Sequence, residues 1–214
     1  MKKYIITLLL VALMVTTGVY QVQSQIQTQN INTVKNKPII TDNKHRSELQ
    51  VKPPPIDPDI AKVQEITNWD LEIATYFVEQ AKGRNVKVFE EALPIASIET
   101  GGTYRFDAIH TNKDGSIDGG LFQLNTITYQ EIKKQLEVEG WEFECWERID
   151  PKFNISAGMY WIGYLKSTHQ LDEHALFSSY NRGVYGARNY ASRCGTYETE
   201  YSREVVRIRN ELLK

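Results

Sequence analysis

The feature that most constrains this chain is the stretch 92–125, which reads A-L-P-I-A-S-I-E-T-G-G-T-Y-R-F-D-A-I-H-T-N-K-D-G-S-I-D-G-G-L-F-Q-L-N. An uncharged run, Ala92 to Ile98, ends on a single carboxylate, Glu99, followed at once by Gly101-Gly102. A helix with this ending holds its one carboxyl group among apolar neighbours. Burial of that kind disfavours the charged form and keeps a carboxyl protonated near neutral pH, where it can serve as a general acid. Asp118 follows in the turn-rich N-K-D-G-S-I-D-G, whose hydroxyl, amide and carboxylate groups suit an ionised side chain. Two carboxyl groups in contrasting surroundings are the minimal equipment for cleaving a glycosidic bond. Asp118 also has two other readings. Asp-Gly is an ordinary turn pair, and Asp114, Ser116, Asp118 and Gly119 echo a calcium loop whose closing position falls on Asn125 instead of Glu.

Around this stretch the apolar spacing is helical. Leu71, Ala74, Phe77, Val78 and Ala81 share one face, with Gly83 as the stop. A helix over Val88–Thr100 must accommodate Pro94, which removes a backbone donor, so a kink or a later start is expected there. The glycine-rich segment 101–120 predicts loop and a short hairpin. Further helices are expected over Thr126–Glu139 and from Asp150-Pro151, the latter burying Ala157, Trp161, Tyr164 and Leu165. Another starts at Asp172 and ends near Tyr180, and a last one carries Tyr201, Val205, Ile208 and Leu212 on one face. The expected fold class is mostly α with a small β-hairpin.

Four short motifs, in order, resemble the soluble-lytic-transglycosylase (SLT) domain of the lysozyme-like superfamily. They are Glu99-Thr100 closing a helix, Gly120-Leu121-Phe122-Gln123, Ser179-Tyr180-Asn181-Arg182-Gly183, and Tyr201 near the start of the last helix. The family pattern has Ser, Met and Ala where this chain has Thr100, Phe122 and Arg182. Its closing E-T-x-x-Y is one residue short at Glu198-Thr199-Glu200-Tyr201. Segment 112–125 is also similar to the β-hairpin of animal C-type lysozymes, with Asp118 at the place of their second catalytic carboxylate. Together the matches span about residues 86–208.

The resemblance implies a lysozyme-like fold and a peptidoglycan substrate cut at the β-1,4 bond between N-acetylmuramic acid and N-acetylglucosamine. It implies Glu99 as acid and then base, a 1,6-anhydro product, no metal and no organic cofactor. Gln123, Tyr180, Asn181 and Tyr201 are the implied substrate-binding residues. Asn181 also reads as a helix C-cap, and Tyr201 as core packing. A hydrolytic muramidase using Glu99 and Asp118 is the alternative within the enzymes. A wall-binding or secretion-apparatus module without turnover is the alternative from another class. Trp141, Trp146, Trp161 and Tyr185 read as core or as sugar-stacking rings, while His110, His169 and His174 read as structural.

The remainder of the chain sets the compartment. Lys2 and Lys3 precede an apolar run from Ile5 to Tyr20, the pattern of a secretory signal cleaved after Ser24. Its rival is an uncleaved anchor through residues 5–20, short of the ~20 residues that span a bilayer. Either places the rest of the chain outside the cytoplasm, where cell-envelope secretion machinery is a partner to consider. Residues 1–24 are thus a signal or anchor, and residues 25–66, polar and then proline-rich, a linker. Residues 67–214 form the domain. A net charge of −2 excludes phosphate neutralisation as a design, and with it a nucleic-acid partner. Cys145 and Cys194, an even count in an exported chain, are expected to form a disulfide.

Overall fold

The computed structural model describes residues 55–214; the expected signal or anchor and most of the expected linker lie outside them. The described residues form seven α-helices and a small antiparallel sheet. Helix α1, Pro58–Thr67, begins where the Asp57 carboxylate accepts from the Asp59 N–H and ends at Asn68 in the left-handed conformation. This helix corrects the expected boundary of the linker at residue 66. Ile60, Val63 and Ile66, each three residues from the next, give it an apolar stripe, and Val63 is fully buried. Helix α2, Leu71–Gly83, is capped by Asp70 and buries Ala74, Phe77, Val78 and Ala81. Leu71, expected on that face, sits exposed in the first turn.

Pro94 is accommodated by a change of helical pitch. A π-helical turn, Val88–Ala92, precedes α3, Leu93–Glu99, and places the proline in the first turn of α3. The π-helical turn runs directly into α3, with the Leu93 N–H donating to the Val88 carbonyl five residues back, and the wider turn gives the proline ring room where its missing N–H interrupts the ladder. The result is a short helix that is buried from Leu93 to Ser97 and emerges at Glu99.

The expected hairpin is a three-stranded sheet in the order β1 (Ile109–Thr111), β2 (Ile117–Gly119) and β3 (Leu124–Asn125). His110 pairs with Asp118, and Asp118 pairs with Asn125 on its other side. Helix α4, Thr126–Val138, follows with Asn125 as its N-cap. Helix α5, Pro151–His169, is capped by Asp150. Helix α6, Glu173–Cys194, is capped by Asp172 and broken at Gly183 (φ 69°, ψ 160°), so the expected end near Tyr180 is a break with a second segment beyond it. Helix α7, Glu200–Leu212, opens with a capping box between Thr199 and Ser202.

The core is one cluster in which Phe77, Phe122, Phe153 and Phe177 are the largest fully buried side chains. Phe122 stacks parallel to Phe77 and fills the space left by Gly158 on α5, where a Cβ would lie 2.1 Å from the ring. This anchors the segment between β2 and β3 to the helices. On α5, Ala157 and Leu165 are buried as expected, but Trp161 is only partly buried and Tyr164 is 37% exposed. The expected disulfide is not formed. Cys145 lies partly buried in the loop after α4, Cys194 is exposed at the end of α6, and both are free thiols. No helix among the described residues is long and apolar enough to cross a membrane.

Candidate active site

The packing of α3 against α7 brings Glu99 and Tyr201 together across the core. The Tyr201 hydroxyl donates to Glu99 Oε1 at 2.6 Å. Desolvation dominates the carboxyl's behaviour. Burial raises its pKa, the Tyr201 bond draws it back, and the negative charge of Asp118 raises it further, leaving it pushed up to about 7. The neighbouring phenols respond in kind. Burial and the charge of Glu99 hold both Tyr180 and Tyr201 well above the ordinary tyrosine range, so both stay protonated donors.

Glu99 opens into a cleft of about 1060 Å³ that Asp118, Gln123, Tyr180, Asn181 and Trp161 also line. Asp118 stands at the centre of β2, with its two carboxylate oxygens held by different amides. Asn112 Nδ2 donates to one at 2.9 Å and Asn125 Nδ2 to the other at 2.8 Å. Asn112 comes from the turn after β1, whose chain reverses at Gly115 (φ 83°), and Asn125 is the cross-strand neighbour of Asp118. Two amides and a carboxylate thus form a fixed polar patch on the wall of the same cleft as Glu99.

Gln123 has a left-handed backbone (φ 42°), and its amide nitrogen donates to the carbonyls of Ala108 (3.0 Å) and Gly120 (2.8 Å). Both amide hydrogens are therefore committed to the loop, and the amide oxygen remains as an acceptor beside the cleft. Tyr180 donates its hydroxyl to the Phe122 carbonyl at 2.7 Å, which ties α6 to the same loop. Asn181 and Gly183 line the cleft where α6 breaks. The backbone of Gly183 lies in a region that only glycine occupies readily. Tyr201 does not line the cleft and reaches Glu99 from behind, on α7. All six residues named from the sequence as site residues therefore converge, five on the cleft wall and one in contact with Glu99.

The support beneath them was not legible. Asn154 of α5 is fully buried, donates to the carbonyls of Gly119 (3.2 Å) and Arg148 (2.6 Å), and accepts from the Phe122 N–H (3.0 Å). It saturates the turn 119–122 from below. Gly120 (φ 79°) leaves it room, since a Cβ there would lie 2.1 Å from Asn154 Nδ2. The available signal was an amide within the apolar run Phe153-Asn154-Ile155, where a buried polar group requires partners. Asn112 and Asn125 were likewise missed as parts of the site, whereas Trp161, read as a core or sugar-stacking ring, lines the cleft. Among the described residues no three His, Cys, Asp or Glu side chains stand together as a metal site, and Asp114 instead accepts from Ser116 within the turn.

No curated protein matches the chain. Among solved structures it is similar to an inactive mutant of the lytic transglycosylase Slt from Pseudomonas aeruginosa, at 20% identity and a TM-score of 0.47. That similarity covers 72% of this chain and 25% of the other, so the chain spans about a quarter of that protein's length. The transglycosylase SLT domain matches residues 77–202, a span that runs from the buried face of α2 through Glu99, Asp118, Gln123 and Tyr180 to Tyr201. With more than half of its length inside that match, the chain belongs to the transglycosylase SLT domain family.

Proposed function

We propose that this chain is a peptidoglycan lytic transglycosylase that cuts the β-1,4 bond between N-acetylmuramic acid and N-acetylglucosamine, with Glu99 as its acid and base. The observation that carries this reading is a carboxyl group on the wall of a cleft, with Tyr201 as its hydrogen-bond partner, pushed up to about 7 by burial. Protonated Glu99 gives its proton to the glycosidic oxygen as the C1–O4 bond breaks and positive charge develops on the muramyl ring. The C6 hydroxyl of the same sugar then attacks C1, and its proton passes to the Glu99 carboxylate. The acid is regenerated, a 1,6-anhydro ring forms and no water is consumed. An acceptor within the same sugar carries a high effective molarity. Gln123, Tyr180 and Asn181 bind the strand. Peptidoglycan as substrate places the domain outside the cytoplasm, in keeping with the basic and apolar N-terminus.

Asp118, on the wall of the same cleft, supports the charge of the transition state. The second reading, a hydrolytic muramidase, gives it a nucleophilic or ion-stabilising role with water as acceptor. The amides on its two oxygens hold the carboxylate in place and leave each oxygen a further lone pair, an arrangement compatible with either role. Replacing Glu99 by Gln tests the assignment. The amide keeps the shape and cannot donate the proton, so release of soluble muropeptides from purified sacculi should fall by at least ~10²-fold. Retention of a tenth of the wild-type rate would remove Glu99 from the mechanism.

A further inference from the structure

A second groove, of about 620 Å³, lies beside the Glu99–Tyr201 pair and is lined by residues of α3, α6 and α7. Ile98 and Tyr201 belong to it, and Asn181 lines both it and the cleft, so the two adjoin. Its charges come from two helices. On α6, Arg182 is the last residue before the break at Gly183 and stands where the SLT pattern has Ala. On α7, Glu200, Arg203, Glu204 and Arg207 recur at three- and four-residue spacing and share one face.

Ion pairing within this groove is uneven. Arg207 pairs with Glu204 at 2.6 Å and also with Glu211, so those three are matched. Among the described residues Arg182 and Arg203 have no carboxylate within ion-pairing distance, and Glu200 has no cation; all three are exposed. One phenol holds the two guanidiniums. The Arg182 guanidinium carbon lies 5.2 Å from the centroid of the Tyr190 ring, and the Tyr190 hydroxyl and Arg203 Nη1 both donate to the Glu198 carbonyl at 3.3 Å. The Glu198 carboxylate itself turns to His174, 3.7 Å from its Nε2. Stacking engages one face of the Arg182 guanidinium and leaves its N–H edge for an acceptor. Arg203 likewise keeps donors beyond the one on Glu198. The groove therefore presents two positioned cations and one anion to a ligand.

That set is the complement of a ligand with two carboxylates and one amine. Muramyl residues of peptidoglycan carry a peptide stem on O3, and a stem with a γ-linked glutamate, a diamino acid and a free C-terminus presents those groups. O3 sits two ring carbons from the C1 whose bond is cut, so a stem on that sugar starts close to Glu99. We propose that the groove beside Asn181 is a subsite for the acidic peptide stem, in which Arg182, together with Arg203, binds stem carboxylates and so selects peptide-substituted strands. This role rests on the reading of the cleft as a peptidoglycan site. Its consequence is a substrate preference set by charge, which a bare glycan or a neutralised stem does not elicit.

The test uses the full-length Glu99→Gln protein, so that ligand is not consumed, and isothermal titration calorimetry. The first probe is a tetrasaccharide of alternating N-acetylglucosamine and N-acetylmuramic acid that carries tetrapeptide stems. The second is the same compound with its stem carboxylates converted to amides, and the third is the tetramer of β-1,4-linked N-acetylglucosamine. The free-carboxylate stem should bind about three- to tenfold more tightly than the amidated one, the range for an exposed ion pair reinforced by N–H donors. Raised salt should shrink that preference. Adding Arg182→Ala should remove most of it and leave the amidated compound and the tetramer bound as before, while Arg182→Lys should keep part of it. Equal affinity for the two stemmed compounds, or a preference that Arg182→Ala does not diminish, would overturn the stem subsite alone. Failure of all three probes to bind would contradict the peptidoglycan reading of the cleft and remove the subsite with it.

Discussion

At the scale of single residues, the account turns on the protonation of Glu99. The acid form is the active one, so the rate constant should be level below pH 6 and fall as pH rises through about 7. Tyr201 stabilises the carboxylate, and its removal in Tyr201→Phe should move that alkaline limb upward. A pH–rate profile of both proteins checks the direction, and an unmoved or lowered limb would count against the contact. The same shift has a cost in stability. The folded pKa lies above the ordinary 4.5, so the native state holds its proton more tightly than the unfolded chain does. The resulting stability is fully present below pH 4.5 and is lost as pH rises through 7, a loss of the order of 3 kcal/mol. Glu99→Gln has no such proton to lose. Urea unfolding at pH 5 and pH 8 should show the variant gaining on the wild type at the higher pH, and parallel pH dependence would argue against a strained carboxyl. This residue was legible in the sequence because one charge closing an apolar helix is a local pattern. Its partner Tyr201 was legible as a motif position, and the contact between them depends on how α3 and α7 pack.

At the scale of elements, the site is a set of helix ends and turns fixed to one another through the loop 119–123. Asn154 holds that loop from α5 and Tyr180 holds it from α6, so both helices set the position of Gln123. Asn154→Ala would leave the Gly119 and Arg148 carbonyls and the Phe122 N–H without their partner in the interior. At about 1–3 kcal/mol for a buried polar group left unsatisfied, the loss should be roughly 3 kcal/mol or more. That should lower the melting temperature by about 2–4 °C per kcal/mol for a domain of this size. A melting temperature within one degree of wild type would show that the loop does not rely on Asn154. Gly183→Ala meets a different obstacle. Its backbone (φ 69°, ψ 160°) strains any side chain by about 1–3 kcal/mol, and relief of that strain would redirect Asn181 and Tyr180. The elements themselves were largely readable, since Asp70, Asp150, Asp172 and the glycine-rich loop mark their ends chemically. The π-helical turn before Pro94, the third strand and the support of Asn154 were not. Each depends on which backbone groups meet across the fold, and no spacing along the chain encodes that.

At the scale of the whole molecule, composition misplaced the edge of the domain. Residues 58–67 share the polar, proline-flanked character of the preceding chain, yet Val63 is fully buried and the Lys62 ammonium donates to the Leu212 carbonyl at 2.7 Å. A fragment beginning at residue 67 therefore exposes the site of Val63 and the partly buried Ile60 and Ile66, at a cost of about 3 kcal/mol. It should unfold at a lower urea concentration than a fragment beginning at residue 55, and equal midpoints would return α1 to the linker. The assembled cleft acts on a glycan strand as a whole. If Glu99 performs both proton transfers with the C6 hydroxyl as acceptor, Asp118→Asn slows the reaction without changing its product. The most direct test is a mass spectrum of the fragments released from purified sacculi by the wild-type protein. The account predicts 1,6-anhydro-N-acetylmuramic acid ends, each one water lighter than a hydrolysed end, and fragments carrying only hydrated reducing ends would contradict it.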